Sequence, residues 1–250
     1  WGSITFILAA YAGGWMVEKT GDAAILWMIV TAMIAAFIAG FGLPKRPARD
    51  PASVPRVRFP AFALMRQKKF LVFIAAVSLL QSSHAVLYVF GTIHWRAAGI
   101  SDDVIGALWA EGVIAEIILF AFSGAVVARL SPIRLMWIAA VSGIVRWAIL
   151  AGTADVTILF ATQWLHGLTF GAAHLAAMHH MLRTVPEHMS ASAQSLYSGF
   201  AIGLVMGLMM MVTGWLYEGY SGGAFYAMIA LSAAGGAVAV WLVLLEDRKP

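Results

Sequence analysis

Long runs of apolar residues constrain this chain more than any other feature of its sequence. Eight stretches approach or exceed the roughly 20 mainly apolar residues that cross a bilayer. They are residues 2–17, 23–43, 70–94, 104–128, 134–152, 156–182, 191–216 and 222–245. The chain is 62% apolar and 11% charged, whereas soluble domains are about 45–50% apolar and about 25% charged. The sequence therefore predicts an all-α membrane protein, a polytopic helix bundle whose solvent is the lipid bilayer.

Residues 44–69 interrupt the apolar pattern with five prolines and eight Lys or Arg against one acid, Asp50. If this loop is cytoplasmic, thirteen Lys and Arg lie on that side, and only Lys19 and Arg96 lie on the other. Such a bias sets the orientation of membrane helices. The count predicts a multi-pass protein of the inner (plasma) membrane with both ends of the chain in the cytoplasm. The net charge of +4 is accounted for by these loops and indicates no nucleic-acid partner.

The apolar stretches are arranged asymmetrically, with two before the basic loop and six after it. Carriers built from two related six-helix halves have this arrangement. On this interpretation, residues 1–43 hold the last two helices of the N-terminal half. Residues 44–69 are the cytoplasmic loop between the halves, and residues 70–250 are the complete C-terminal half. Four helices would precede Trp1. The alternative is a complete protein of eight helices.

Three ionisable residues lie deep inside predicted spans: Glu116, Arg146 and His166. A charge at the centre of a span costs roughly 2.5–3.5 kcal/mol, and such groups usually face a bundle interior or a water-filled cavity. We expect Arg146 and Glu116 to offset each other, and His166 to handle a proton because histidine titrates near neutral pH. The alternatives are an ion pair that only holds two helices together and a neutral histidine hydrogen-bonded between helices.

Weaker candidates lie on the same spans. Glu111 is about 140° around an ideal helix from Glu116 and is expected in an outer vestibule, whereas His174 is 80° from His166 and further in. The other candidates for the cavity are Gln81, His84, Trp147, Gln163 and Trp164. The four histidines of residues 156–182 lack the i, i+4 spacing of a local metal-ligand pair, so we predict neither a metal nor another cofactor.

Glycines recur every four residues on two of the predicted spans. Gly167 and Gly171 form one such set, and Gly199, Gly203 and Gly207 form the other. Small residues at this spacing let helix backbones approach closely in membranes. Both sets are predicted to be packing faces, and the set at Gly199, Gly203 and Gly207 also suits helices that slide or rock against each other.

The chain resembles the major facilitator superfamily, in the branch of the phenylpropionate permeases and the lactose permeases (oligosaccharide:proton symporters). Arg146 and His166, twenty residues apart, look like the Arg and Leu-His of the ninth and tenth helices of lactose permeases. Ala115 and Glu116 look like the eighth-helix segment whose Glu binds sugar. The opening residues resemble the start of the fifth helix, which implies a substrate contact for Phe6. Thr169 stands where the lactose permeases have a proton-carrying Glu.

This resemblance implies a major facilitator fold with eight of twelve expected helices and a monomeric carrier that is not an enzyme. The implied activity is symport of a small organic solute with a proton, by alternating access. The solute is an aromatic acid such as phenylpropionate, or a sugar. The resemblance implies substrate contacts for Phe6, Glu116, Arg146 and His166, and their depth in the spans adds Trp147, Gln163 and Trp164 to the predicted contacts. Proton coupling is predicted for Glu111, Glu116, Arg146 and His166. The alternatives are an uncoupled facilitator or exporter, a polytopic membrane enzyme or metal protein that uses the histidines, and a membrane scaffold.

Overall fold

A computed structural model describes residues 23–42 and 58–247, together with residues 5, 8, 9, 12, 13, 16 and 19–21. The chain divides into two compact units, residues 1–56 and 57–250. Within the first unit, the helix α1 (Ala23–Gly40) is apolar except for Thr31, whose hydroxyl donates to the Trp27 carbonyl at 2.7 Å. Its large side chains, such as Trp27 and Phe37, are exposed, as expected of a helix apolar all round whose surroundings are lipid. Most of the predicted span at residues 2–17 lies outside the described residues.

The second unit consists of helices joined by short turns. They are α2 (Pro60–Met65), α3 (Lys68–Ser82), α4 (Ala85–Ala97), α5 (Asp102–Ala121), α6 (Ser123–Arg129), α7 (Pro132–Gly152), α8 (Val156–Gln163), α9 (Ala172–Thr184), α10 (Ser190–Leu196), α11 (Met206–Tyr220) and α12 (Phe225–Asp247). Two π-helical turns, Gly167–Gly171 and Tyr197–Val205, continue the helices at α8–α9 and α10–α11. No strand occurs in the part of the chain that the structure describes, in agreement with the predicted all-α fold.

Five helical stretches within the described ranges are long and apolar enough to cross a membrane. They are Ala23–Gly40, Lys68–Ala97, Asp102–Ala121, Pro132–Gly152 and Glu187–Leu245. The last is long enough for the two predicted spans at residues 191–216 and 222–245. The predicted span at residues 156–182 is helical but is made of α8, a π turn and α9. The predicted loop at residues 44–69 is described from residue 58 onward, where it contains α2.

The predicted span at residues 70–94 is interrupted by a turn. The helix α3 ends at Ser82 and α4 begins at Ala85, and Ser83 Oγ donates to the Leu80 carbonyl at 2.7 Å between them. A serine hydroxyl can hydrogen-bond a backbone carbonyl that an interrupted helix leaves without a partner. The break is therefore tolerated in a buried position. The turn places His84 in the interior of the unit, where it is 0% exposed.

Two apolar clusters fill the second unit, and a layer of buried polar side chains separates them. Along α3 and α4, the first cluster ends at Leu80 and the second begins at Ala85. Along α7, the first cluster ends at Ala140 and the second begins at Trp147. The buried polar residues at the levels in between are Gln81, Ser82, Ser83, His84, Arg146, Thr162, Gln163, His166, Thr169 and Ser232. Four helical segments thus bring their polar residues to one depth.

Two glycines allow α12 to pack closely against α3 and α7. A Cβ atom on Gly235 would lie 2.8 Å from Leu80, and one on Gly236 would lie 2.9 Å from the Cβ of Ala140. Lipid tails are as apolar as the core, so helix association in a bilayer depends on such close van der Waals contact. The two glycines therefore fix α12 beside the helices that carry the polar layer.

Candidate functional site

Arg146 lies at the centre of the polar layer and is 1% exposed. Its Nη2 donates to Gln163 Oε1 at 2.8 Å, and its Nη1 donates to Thr169 Oγ1 at 3.1 Å. Nη1 also lies 3.0 Å from His166 Nδ1, and the guanidinium carbon lies 5.1 Å from the centre of the Trp147 ring. These three acceptors are neutral, so the described contacts hold the buried charge by dipoles rather than by a carboxylate.

The contact with Arg146 determines which nitrogen of His166 carries the proton. An arginine side chain only donates hydrogen bonds, so Nδ1 accepts, and the proton of the neutral ring is on Nε2. Nε2 lies 3.7 Å from Glu116 Oε2, and the Glu116 side chain is 14% exposed. His166 therefore stands between the guanidinium and the carboxylate. The described contacts thus link Arg146 to Glu116 through the imidazole of His166.

A second chain of hydrogen bonds leads from Arg146 to the break between α3 and α4. Thr169 Oγ1 lies 3.0 Å from His84 Nε2, and His84 Nδ1 lies 3.0 Å from the Gln81 carbonyl oxygen. A carbonyl only accepts, so Nδ1 carries the proton and Nε2 accepts from the threonine hydroxyl. The chain thus runs from Arg146 through Thr169 and His84 to the backbone. The sequence signal was the polar run at residues 81–84 inside an apolar stretch.

The π turn Gly167–Gly171 changes which residues share a face of the helix. On an ideal α-helix His174 would be rotated by 80° from His166, but a π turn follows i to i+5 hydrogen bonds. The rings of His166 and Phe170 stack with centres 5.5 Å apart, and those of Phe170 and His174 with centres 6.2 Å apart. The three rings therefore form one column along this part of the helix.

The helix α5 crosses this π turn at very short distance, as the small-residue spacing predicted. A Cβ atom on Gly167 would lie 2.9 Å from the Ala115 carbonyl oxygen, and one on Gly171 would lie 2.8 Å from Leu119. The prediction of a packing face at Gly167 and Gly171 is confirmed. Because Glu116 follows Ala115 on α5, the same crossing brings its carboxylate to His166.

A further polar cluster surrounds Tyr197, at the start of the second π turn. Gln81 Nε2 donates to Tyr197 Oη at 3.2 Å, and Tyr197 Oη lies 3.1 Å from His174 Nδ1. Since the hydroxyl accepts from Gln81, its own proton is available to His174. Tyr197 is buried and was not among the sequence candidates. A tyrosine in an apolar span gives little indication of a functional site, because tyrosine rings are also common in ordinary hydrophobic cores.

The structure does not bring every sequence candidate to Arg146. Trp147 is fully buried beside it and donates from Nε1 to Ser232 Oγ at 3.0 Å. Trp164 is 50% exposed, and neither Trp164 nor Glu111 is among the described contacts of Arg146. Phe6 lies outside the described residues.

Comparisons with known proteins agree with this architecture. The model of the MFS_1-like family matches residues 1–228. The chain is 34% identical over 240 residues, 93% of its length, to a probable 3-phenylpropionic acid transporter of Escherichia coli (strain K12). It is 25% identical over 249 residues, 99% of its length, to the maltose permease of Geobacillus stearothermophilus. The chain spans 62% of the length of each of these relatives, and both are transporters rather than enzymes.

The fold is also similar to a solved structure. The crystal structure of the nucleoside transporter NupG matches with a TM-score of 0.68 at 20% identity, over 100% of this chain and 66% of that one. Together with the family match, this likeness confirms the predicted major facilitator fold.

Proposed function

Because the chain belongs to the MFS_1-like family of the major facilitator superfamily, we propose that it is the larger part of a secondary transporter for a small organic acid and a proton. We further propose that it is a monomeric protein of the inner membrane that works by alternating access. In this proposal residues 1–43 belong to the N-terminal half, residues 44–69 join the halves in the cytoplasm, and residues 70–250 form the C-terminal half.

The buried charge of Arg146 is the observation that carries the choice of an acid. Its described acceptors are neutral, and two buried donors of this pair, Arg146 Nε and Gln163 Nε2, have no described hydrogen-bond partner. A carboxylate accepts two parallel hydrogen bonds from planar donors, and it supplies a negative charge beside Arg146 when Glu116 is protonated. A carboxylate thus provides both a hydrogen-bond acceptor for these donors and a negative charge, whereas a sugar hydroxyl provides only the acceptor.

The column of His166, Phe170 and His174 favours an aromatic body for this acid. Flat ring faces stack on other aromatic rings in offset or edge-on arrangements. The relative named as a probable 3-phenylpropionic acid transporter supports the same class of substrate. The sugar alternative is supported by the maltose permease, at lower identity.

Proton coupling in this proposal rests on Glu116 and His166. When Glu116 is ionised, it balances the charge of Arg146 across the imidazole. When Glu116 is protonated, the layer has a net positive charge and attracts the carboxylate of the substrate. Proton and acid therefore favour each other's binding, which is the requirement for coupling. Thr169, engaged with Arg146 and His84, has no carboxyl proton to release. Glu111 remains a predicted residue of the outer vestibule.

The test is a measurement of external pH. Full-length protein is reconstituted in liposomes in weakly buffered medium, and 3-phenylpropionate and then lactose are added. We expect alkalinisation of the medium with 3-phenylpropionate and none with lactose. The reverse result would establish a sugar symporter. No pH change with either solute would contradict proton-coupled transport of these substrates through Glu116, Arg146 and His166.

Replacing Glu116 by Gln isolates the coupling step. The amide imitates the protonated acid, so we expect proton-driven accumulation to be abolished while exchange of substrate across the membrane continues. Glu218→Gln, at an exposed carboxylate on α11, is the matched control and retains accumulation. Accumulation at the wild-type rate in Glu116→Gln would contradict the assigned role.

The second candidate is a facilitator without proton coupling, which Thr169 favours because it replaces the Glu that the resemblance led us to expect. Counterflow in the wild type that is insensitive to a proton gradient would establish the facilitator. Arg146→Ser is expected to damage proton-driven accumulation, and unchanged accumulation in this variant would contradict the role assigned to Arg146.

A further inference from the structure

Three arginines converge at the end of the second unit that carries the basic turns. Arg129 ends α6, Arg134 lies in the first turn of α7, and Arg183 lies in the last turn of α9. All three border one open cleft of about 300 Å³, and its other lining residues are uncharged. A neighbouring cleft of about 400 Å³ shares Arg134 and Arg183. Three separate helices therefore direct positive charge to one place.

The ion pairs that the structure gives among the described residues do not involve these three arginines. Within residues 58–245, these ion pairs join Arg96 to Asp102 and His166 to Glu116. Like charges that share a cleft repel each other and raise the local concentration of anions. The cleft thus has the electrostatic character of an anion site.

The surface next to the cleft indicates what kind of anion it takes. Beyond Arg134 on α7, Trp137, Val141 and Val145 are exposed, and their spacing of four residues places them on one face of the helix. Leu182, beside Arg183, is also exposed. An apolar strip of this kind is expected to face lipid tails in a membrane, which would place the arginine cleft at the level of the headgroups.

We propose that this arginine cleft binds the phosphate headgroup of an anionic phospholipid, whose acyl chains lie on the strip at Trp137, Val141 and Val145. Guanidinium groups bind phosphate oxygens with paired hydrogen bonds, and basic pockets between membrane helices suit such headgroups. A soluble phosphate gains the headgroup contacts only, whereas a lipid gains the contacts of both surfaces.

The arginine cleft lies at the ends of two helices that also carry or adjoin residues of the polar layer. Arg134 begins α7, which carries Arg146, and Arg183 ends α9, which continues the π turn after His166. A bound headgroup links the ends of the two helices whose side chains meet at 3.0 Å deeper in the bundle. Lipid binding is therefore expected to stabilise the folded protein in proportion to occupancy.

The test is thermal unfolding of the full-length protein in a neutral detergent. It is titrated with short-chain phosphatidylglycerol, with phosphatidylcholine of the same chains, and with inorganic phosphate. We expect a saturable rise in Tm with phosphatidylglycerol only. An equal rise with phosphatidylcholine would overturn the proposal, because no anion would be required. An equal rise with inorganic phosphate would overturn the lipid as the ligand.

Variants locate the effect. We expect Arg183→Gln to weaken phosphatidylglycerol binding about fivefold, the effect of one basic residue near an anionic surface. Replacing Arg129, Arg134 and Arg183 together by Gln is expected to abolish the rise in Tm with phosphatidylglycerol. Arg96→Gln, at the opposite end of the unit, is the control, and we expect this variant to keep the rise in Tm. All three cleft arginines are exposed, so the single variant remains informative if the combined one does not fold. An unchanged affinity in Arg183→Gln would overturn the site.

Discussion

The two π-helical turns of the second unit have similar sequences but different surroundings. Each contains two glycines four residues apart and lies beside a buried hydroxyl that bridges helices. At Gly167, an added Cβ would lie 2.9 Å from a carbonyl oxygen of α5, whereas at Gly199 no atom of the described structure lies within 4 Å. The predicted packing face at Gly199, Gly203 and Gly207 has no neighbouring helix against it among the described residues, and it stays a prediction. A glycine repeat permits close packing, but only a neighbouring helix makes use of it.

The hydroxyl groups of the two turns also differ in how deeply their hydrogen-bond partners are buried. Thr169 is bonded to Arg146 and to His84, both of which are buried. Tyr197 is bonded to Gln81 and to the half-buried His174. An unsatisfied polar group costs most where water cannot replace its partner. The first turn is thus expected to carry more stability and more of the transport function than the second.

Thr169→Val is the substitution with the largest expected effect. It removes one acceptor of Arg146 and the donor to His84, and each buried group left without a partner costs about 1–3 kcal/mol. We expect a large fall in Tm in detergent and loss of uptake. Thr213→Val is the control, because this equally buried hydroxyl donates only to the Met210 carbonyl on its own helix. Equal Tm values for the two variants would show that the bonds of Thr169 between helices contribute no more stability than the bond of Thr213 within its own helix.

Gly167→Ala is expected to have the next largest effect. The added Cβ meets the Ala115 carbonyl, which belongs to the backbone and does not swing aside, and overpacking of this kind costs about 1–3 kcal/mol. We expect a lower Tm and slower uptake, since α5 moves and takes Glu116 away from His166. Gly106→Ala, on the open face of α5, is the control. Wild-type uptake in Gly167→Ala would show that the close crossing does not position Glu116.

Tyr197→Phe tests the weaker polar cluster. The loss of one hydroxyl removes two hydrogen bonds, but His174 is only half-buried, so we expect a net cost of about 0.5–1.5 kcal/mol. Thermal unfolding and the initial rate of uptake measure the effect. A fall in Tm as large as that of Thr169→Val would contradict the difference between the two turns.

Gly199→Ala is expected to have the smallest effect, below about 0.5 kcal/mol, because the new methyl group enters open space. Unfolding temperature and uptake should both match the wild type. If uptake falls while Tm stays the same, another surface packs on this face during transport, and the two turns are more alike than the described structure indicates.

Much of the fold was predictable because a bilayer leaves a chain few choices. Every backbone polar group must be satisfied within the segment, so a long apolar stretch has to be a helix. The stretch at residues 134–152 is accordingly a single helix with nearly the predicted bounds. The break at Ser83 and His84 was not predicted, because an apolar stretch long enough to span a membrane is expected to form one continuous helix. The bond between His84 and Thr169 forms only when the neighbouring helix is in place.

The identity of the buried ionisable residues was set by the sequence alone. Arg146, His166 and Glu116 are too costly in lipid to face it, and this predicted that they would meet. The sequence could not rank their partners. The order in which they meet, with His166 between the two charges and with His84 and Thr169 on the other side of Arg146, follows from the π turn and from the crossing at Gly167. Those are tertiary features, since a few ångströms of helix rotation decide which donor reaches which acceptor.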